Sequence, residues 1–136
     1  MERTLPPVTP LTQPWFDGCA RGELLLQHCG SCGEHQFYPR TLCSHCGTTD
    51  PSWVKASGRG HIASFSIVRR GITKAYEAPY VVALIDLEEG PRMMSNVVGC
   101  EPEAIVIGQA VTVAFEAWND EITLPVFTVD TAREAP

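Results

Sequence analysis

The chain has 136 residues, of which 44% are hydrophobic and 19% charged, with a formal net charge of −6. That size suits one ordinary domain or a small module joined to a compact barrel, and the composition is globular, not disordered. The acidic balance disfavours non-specific contact with a phosphate backbone, and the longest apolar run, residues 80–85, is far short of the roughly 20 residues of a spanning helix.

Residues 1–23 read as a tail followed by a helix. The first ten residues contain Pro6, Pro7 and Pro10 and are expected to be extended. They carry Glu2 and no apolar stretch, so they do not form a signal-peptide pattern. A cytoplasmic location follows as an expectation, and in that reducing compartment paired cysteines more often hold metal than form disulfides. A helix is expected from residue 12 or 13 to 21, with Thr12 as N-cap, Pro14 in the first turn and Gly22 at the stop. Trp15, Phe16 and Cys19 give it one apolar stripe, for which a core role is favoured. A helix this short is marginal alone and must dock on the chain's own barrel or on a partner.

Residues 24–57 read as a metal-binding ribbon, with short β segments at 24–27, 36–38 and 53–56 around two cysteine pairs. Cys29 and Cys32 are separated by two residues, as are Cys43 and Cys46, with ten residues between the pairs. Two residues are what a tight knuckle needs to turn both sulfurs toward one ion, and four thiolates match the tetrahedral preference of zinc. Gly33 and Gly47 each follow a pair, where a left-handed backbone lets amides point at the sulfurs. Iron in a rubredoxin-like site accepts the same ligands, so zinc is favoured and iron stays open. Four sulfurs close the coordination shell and leave no position for substrate, so the site is expected to be structural. Neither pair sits at a strand-to-helix turn, which argues against a thioredoxin-like dithiol. His28 and His45 are expected to be exposed or supporting, and Cys19 and Cys100 to be buried small hydrophobes.

Ser57-Gly58-Arg59-Gly60 breaks the chain, and residues 58–130 have an all-β pattern. Strands are expected at 61–70, with Ala63, Phe65 and Ile67 on one face, and at 80–87, with Val81, Ala83, Ile85 and Leu87 alternating. The turn at 88–91 leads to a strand at 92–98, a helical turn at 101–104 leads to 105–108, and strands at 110–118 and 125–129 follow. Residues 131–136 are expected to be a C-terminal tail. The predicted fold is therefore mainly β: a short helix, a zinc ribbon and a five-stranded barrel, for which a small, partly open barrel of the OB type is the natural solution, although periodicity alone equally allows another small β-barrel.

No catalytic set emerges: there is no phosphate-cradling glycine loop, serine elbow or His-Glu-x-x-His motif. Glu88 and Glu89 lie in a turn and are expected to be solvated, and His61 to be a packing residue. Between residues 51 and 76 there is no acid, and Lys55, Arg59, Arg69, Arg70 and Lys74 supply half of the ten basic residues. Such a strip suits a compact anionic ligand or a solvated strand face.

The segments QPWFDGCARGEL, LLQHCGSCGEHQFYPRTLCSHCG, Trp53 before SGRGHIASFS, and APYVVALIDLEEGPRMMSNVVG together resemble the domain-of-unknown-function thirty-five family. The resemblance covers residues 12–130, and Tyr38 departs from it where proline is usual. It implies a rubredoxin-like zinc ribbon with a C-terminal OB fold, Cys29, Cys32, Cys43 and Cys46 as zinc ligands, and no catalysis by the chain itself. It also implies a scaffold role beside a thiolase-superfamily enzyme, a thiolase-like aldolase or a hydratase of lipid or sterol metabolism, helping to hold acyl-CoA. For the CoA nucleotide and phosphates, Arg40, Arg59, Arg69, Arg70 and Lys74 are candidate cations, and Phe37, Tyr38 and Trp53 a candidate flat surface. Trp15 and Phe16 are candidate anchors for the partner enzyme. The competing readings are an OB-fold nucleic-acid binder, which the net charge of −6 disfavours, and an iron electron carrier.

Overall fold

The computed structural model describes residues 4–130; the expected tail at 131–136 lies outside the described residues. Helix α1 spans Gln13–Ala20, with Thr12 at the N-cap, proline in the first turn and Arg21 at the C-cap. Thr12 does not cap with its side chain. Its Oγ1 turns back to accept the Thr9 N–H at 2.9 Å, while the Thr9 carbonyl accepts from Gln13 at 2.8 Å, so a turn precedes the helix. Trp15 and Cys19 are buried, and Phe16 is half-buried.

Strands β1 (Leu25–His28), β2 (His35–Gln36) and β3 (Ser52–Lys55) form a three-stranded antiparallel sheet with β1 in the centre. Strands β4 (Arg59–Val68), β5 (Tyr80–Leu87), β6 (Arg92–Val98), β7 (Ala110–Ala117) and β8 (Thr123–Val129) close into a barrel in the order β4-β5-β6-β8-β7. A short 3-10 turn, Pro102–Ala104, bridges β6 and β7. The barrel is closed where a partly open one was expected, because β6 and β8 pair in parallel at Val97–Phe127 and Val98–Thr128. Further along, Pro125 has no N–H for a ladder, and the Ser95 hydroxyl donates to its carbonyl at 3.0 Å.

β5 follows its sequence pattern, with Val81, Ala83, Ile85 and Leu87 all buried. β4 does not. Its pairing with β5 shifts between Ile62 and Ser64, so a bulge at Ala63 changes which alternate residues point inward. Ile62 occupies the core where Ala63 was expected, while Phe65 and Ile67 pack against it as predicted. One extra residue on one strand reverses the alternation, and no residue type in the segment announces it.

The core cluster joins both modules. Leu24 and Leu26, flanking and within β1, pack with Ile62, Ile85, Met93, Val111 and Phe127 of the barrel. Each such side chain contributes about 1.5–3 kcal/mol on full burial. The break at Ser57-Gly58 is accordingly a packed joint: Ala56 donates to the Leu24 carbonyl at 2.8 Å and Val113 to the Gly58 carbonyl at 2.7 Å. Gly58 has φ +80°, and a Cβ there would stand 2.5 Å from Val113 Cγ1. Gly58→Ala should therefore cost about 2–4 kcal/mol in urea unfolding, from left-handed strain plus overlap. In a double-mutant cycle, Val113→Ala should relieve the overlap but not the strain.

Candidate functional site

The two cysteine pairs fold into the same knuckle. Gly33 N–H donates to the Cys29 carbonyl at 2.8 Å and Cys29 N–H to the Glu34 carbonyl at 2.9 Å. In the second, Gly47 donates to Cys43 at 2.9 Å and Cys43 to Thr48 at 2.8 Å. Gly33 and Gly47 have φ +78° and +80°, the conformation for which glycine was expected there. The knuckles bring the four Sγ atoms within 4.8 Å of one another, with Cys29–Cys46 at 3.5 Å and Cys32–Cys43 at 3.7 Å. A zinc–sulfur tetrahedron with bonds of about 2.3 Å has edges of about 3.8 Å, so the cluster fits one tetrahedral ion.

The electrostatics agree with a cation site. Amides, that of Cys32 foremost and that of Ser31 after it, favour the Cys29 thiolate and lower its pKa to about 6. At Cys46 the Thr48 hydroxyl, 3.0 Å from Sγ, and then its amide hold the thiol below the ordinary value. For Cys32 the Glu34 amide pulls down, but burial and the neighbouring sulfurs outweigh it and push the thiol up to about 12. Four sulfurs at this spacing cannot all ionise without a counter-charge, and a divalent cation supplies it. Cys19 behaves differently: burial pushes its thiol up to about 12, as suits an inert packing residue. Cys100, raised by the same cause, is only half-buried.

Two buried glutamines hold the knuckles together. Gln27 and Gln36 are 2% and 4% exposed although both are polar. Gln36 Nε2 donates to Gln27 Oε1 at 2.7 Å and to the Leu42 carbonyl at 3.1 Å, and its Oε1 accepts the Ser44 N–H at 2.7 Å. Gln27 Oε1 also accepts the Arg40 N–H at 2.8 Å, while its Nε2 donates to the Arg40 carbonyl at 2.9 Å. The clamp fixes residues 40–44, which carry the second knuckle to the first. Sequence reasoning missed it, because glutamine in a short strand has no distinguishing pattern. His28 is half-buried with its ring 4.8 Å from that of His35, and exposed His45 lies with Nε2 3.3 Å from the His35 carbonyl.

The remaining candidates do not converge. Trp15 is 8% exposed and packs against Phe16 and Phe37 at ring distances of 4.9 and 5.8 Å. It is thus a core residue of this chain and not the exposed anchor expected, because the docked helix turns it inward; Phe16 keeps part of its surface. The basic strip is largely neutralised by acids outside it. Arg59 is bidentate to Glu88 at 2.9 and 3.0 Å, Arg69 meets Glu103 at 2.8 Å, and Lys55 lies 3.7 Å from Glu23. Glu88 is exposed, as expected, and ion-paired, whereas Glu89, expected to be solvated, is half-buried and accepts the Ser57 N–H at 2.8 Å. Arg40, Arg70 and Lys74 are exposed, with Arg70 and Lys74 on the β4–β5 loop. Tyr38 is 50% exposed and Phe37 half-buried beside it.

Phe16, Phe37 and Tyr38 line an apolar groove of ≈ 600 Å³ between α1, the ribbon and the barrel. Met94, Trp118 and Val126 complete its barrel side. Trp15 also lines it, and its Nε1 is buried with no hydrogen-bond partner among the described residues. No helix among the described residues is long and apolar enough to cross a membrane.

Two family models cover most of the chain. The ChsH2 rubredoxin-like zinc ribbon domain matches residues 16–52, and the ChsH2 C-terminal OB-fold domain matches residues 53–116. A DUF35 domain-containing scaffold protein of Methanothermobacter thermautotrophicus is 34% identical over 116 residues, spanning 84% of this chain and 87% of that protein. This chain belongs to the DUF35 family. Among solved structures, a chain described as Ltp2-ChsH2(DUF35) aldolase superposes with a TM-score of 0.84 at 35% identity, covering 92% of this chain and 98% of that one. A probable enoyl-CoA hydratase alpha subunit of Thermomonospora curvata is 38% identical over 113 residues, or 83% of this chain. The match covers 35% of that subunit's length, so this chain corresponds to one part of it. The family and the sulfur geometry agree on a structural metal centre in the ribbon.

Removing the clamp should loosen that centre. Gln36→Ala is expected to weaken metal affinity about 10–100-fold in chelator competition, while the barrel's circular dichroism persists. In the native chain the affinity should rise with pH, since metal displaces protons from the thiols.

Proposed function

We propose that this protein is a non-catalytic scaffold subunit that binds an acyl-CoA-processing enzyme, of the thiolase-superfamily aldolase or the hydratase type, and helps to hold its acyl-CoA. The observation that carries the reading is the nearly full-length likeness to the DUF35 chain of an aldolase assembly. Scaffold proteins and a hydratase alpha subunit among the relatives support the same role.

The metal in this reading is zinc, bound by Cys29, Cys32, Cys43 and Cys46, and it serves architecture. All four positions of a tetrahedral ion are taken by sulfur, so no site is left for water or substrate. Phe16 and the ribbon residues Phe37 and Tyr38 form the docking edge, because they combine partial exposure with apolar area. The groove behind them suits an acyl chain. Arg40, Arg70 and Lys74 are the cations available for CoA phosphates, whereas Arg59 and Arg69 are held in ion pairs. The reading places the complex in the cytoplasm, in lipid, sterol or similar acyl-CoA metabolism.

Affinity purification of the tagged chain from its native cells, followed by mass spectrometry, should recover a thiolase-superfamily enzyme or a hydratase subunit. Recovery of neither sinks the proposal. Phe16→Ala should weaken the recovered complex about tenfold or more in a binding titration. Elemental analysis should give one zinc in a colourless protein; a coloured, iron-containing protein would instead mark an electron carrier.

A further inference from the structure

Besides the four cysteines, the ribbon brings together a second set of metal-binding side chains. His28, the last residue of β1, pairs directly with His35, the first residue of β2, in the antiparallel ladder. Residues opposed in this way have Cβ atoms about 4.5–5.5 Å apart on one face of the sheet. The next pair along, Gln27 with Gln36, faces the other way and forms the clamp. The two imidazole rings stand with centroids 4.8 Å apart and planes inclined at 52°, so they are not stacked. Both residues are half-buried. Among the described residues no hydrogen bond engages either ring, and the ring nitrogens are open to solvent.

The spacing is that of a chelating pair. Bonds from a metal ion to imidazole nitrogen are about 2.0–2.1 Å, and the ring centre lies about 1.1 Å farther on, so the ion stands about 3.2 Å from each centre. With the two nitrogens at about 90–110° around the ion, the ring centres lie about 4.5–5.2 Å apart. The observed 4.8 Å falls inside that range. Each ring can turn about its metal–nitrogen bond, so the inclination of the planes is no obstacle. Imidazole nitrogen suits zinc, nickel and copper, whereas magnesium and calcium prefer oxygen. His45 does not join the pair, because its Nε2 lies 3.3 Å from the His35 carbonyl. Among the described residues the four cysteines are the one group of three or more such side chains within reach of a single ion. The histidine pair therefore supplies two ligands and leaves the other positions to water or to a donor atom of another molecule.

We propose that His28 and His35 form a second metal site, open to solvent, that takes a divalent transition-metal ion of the nitrogen-preferring class. It differs in kind from the cysteine centre, where sulfur closes the coordination shell. The pair is held in place by the ladder on both sides. Gln36 bonds to Gln27 at 2.7 Å one step before it, and the Cys29 N–H donates to the Glu34 carbonyl at 2.9 Å one step after it. Two rings fixed in this way lose little freedom when an ion binds, which favours binding over that to scattered surface histidines. The proposal does not rest on the scaffold role, and the cysteine centre keeps its own ion.

The probe is nickel(II), added to the isolated chain with its ribbon metal in place. Isothermal titration should show a single nickel site per chain. His28→Ala and His35→Ala should each lower its affinity at least about tenfold, or about 1.4 kcal/mol, while His45→Ala should change it by less than about twofold. In NMR spectra of the native chain, paramagnetic nickel should broaden the ring signals of His28 and His35 and leave that of His61, in the barrel, sharp. Zinc should displace the nickel, and magnesium should not. Elemental analysis should show the ribbon metal retained, and no thiolate-to-nickel charge-transfer band should appear. An affinity unchanged by His35→Ala, loss of the ribbon metal to nickel, competition by magnesium, or broadening that does not separate the pair from His61 overturns the site. The broadening and competition arms use the native sequence, so they decide the matter even if a variant misfolds.

Discussion

Strand β1 holds the molecule together because each of its faces has a different obligation. Leu24, just before it, and Leu26 within it enter the barrel core. Leu25, on the opposite face, packs beside Gly18 of α1, and Gln27 reaches into the clamp behind the metal centre. The period of two along a strand makes this possible within four residues. Sliding β1 by one residue would put glutamine into the apolar core and leucine into the clamp. Its register is therefore fixed from both sides, and with it the position of Cys29, one residue beyond its end.

That constraint explains why a ribbon only about 30 residues long can be rigid with so little core of its own. Cysteine ligation ties the two knuckles together, the glutamine pair satisfies the backbone of residues 40–44, and the barrel supplies the apolar surface that the ribbon lacks. Buried amide networks of this kind stabilise only when every member is satisfied, because an unpaired buried polar group costs about 1–3 kcal/mol. Both glutamines have donors and acceptors engaged. The ribbon, α1 and the barrel consequently present one continuous surface, and its apolar groove lies at their meeting place.

Charge is arranged with comparable economy. Sequence order segregates the chain into a basic middle and an acidic second half, but folding brings the two together. Arg59 faces Glu88 across 29 residues of chain, and Arg69 meets Glu103 at 2.8 Å. These pairs are substantially exposed and contribute little stability, about 0–1 kcal/mol each. Their greater effect is to cancel local fields, while Arg70 and Lys74 stay exposed on the β4–β5 loop.

The metal site was legible in the sequence because its chemistry is local: two knuckles each need two intervening residues and a following glycine, whatever the rest of the chain does. The barrel was legible for a similar reason, since the alternation in β5 and the β5–β6 turn depend on neighbours in sequence. The bulge at Ala63 and the pairing of Arg59 and Arg69 were not legible, because each depends on a partner from a distant segment. The same holds for the glutamine clamp. The sequence by itself determined which residues can hold a metal and how many strands must close over a core. Only the tertiary structure decided which aromatics and charges remain at the surface, because burial and ion pairing are properties of neighbours in space and not of neighbours along the chain.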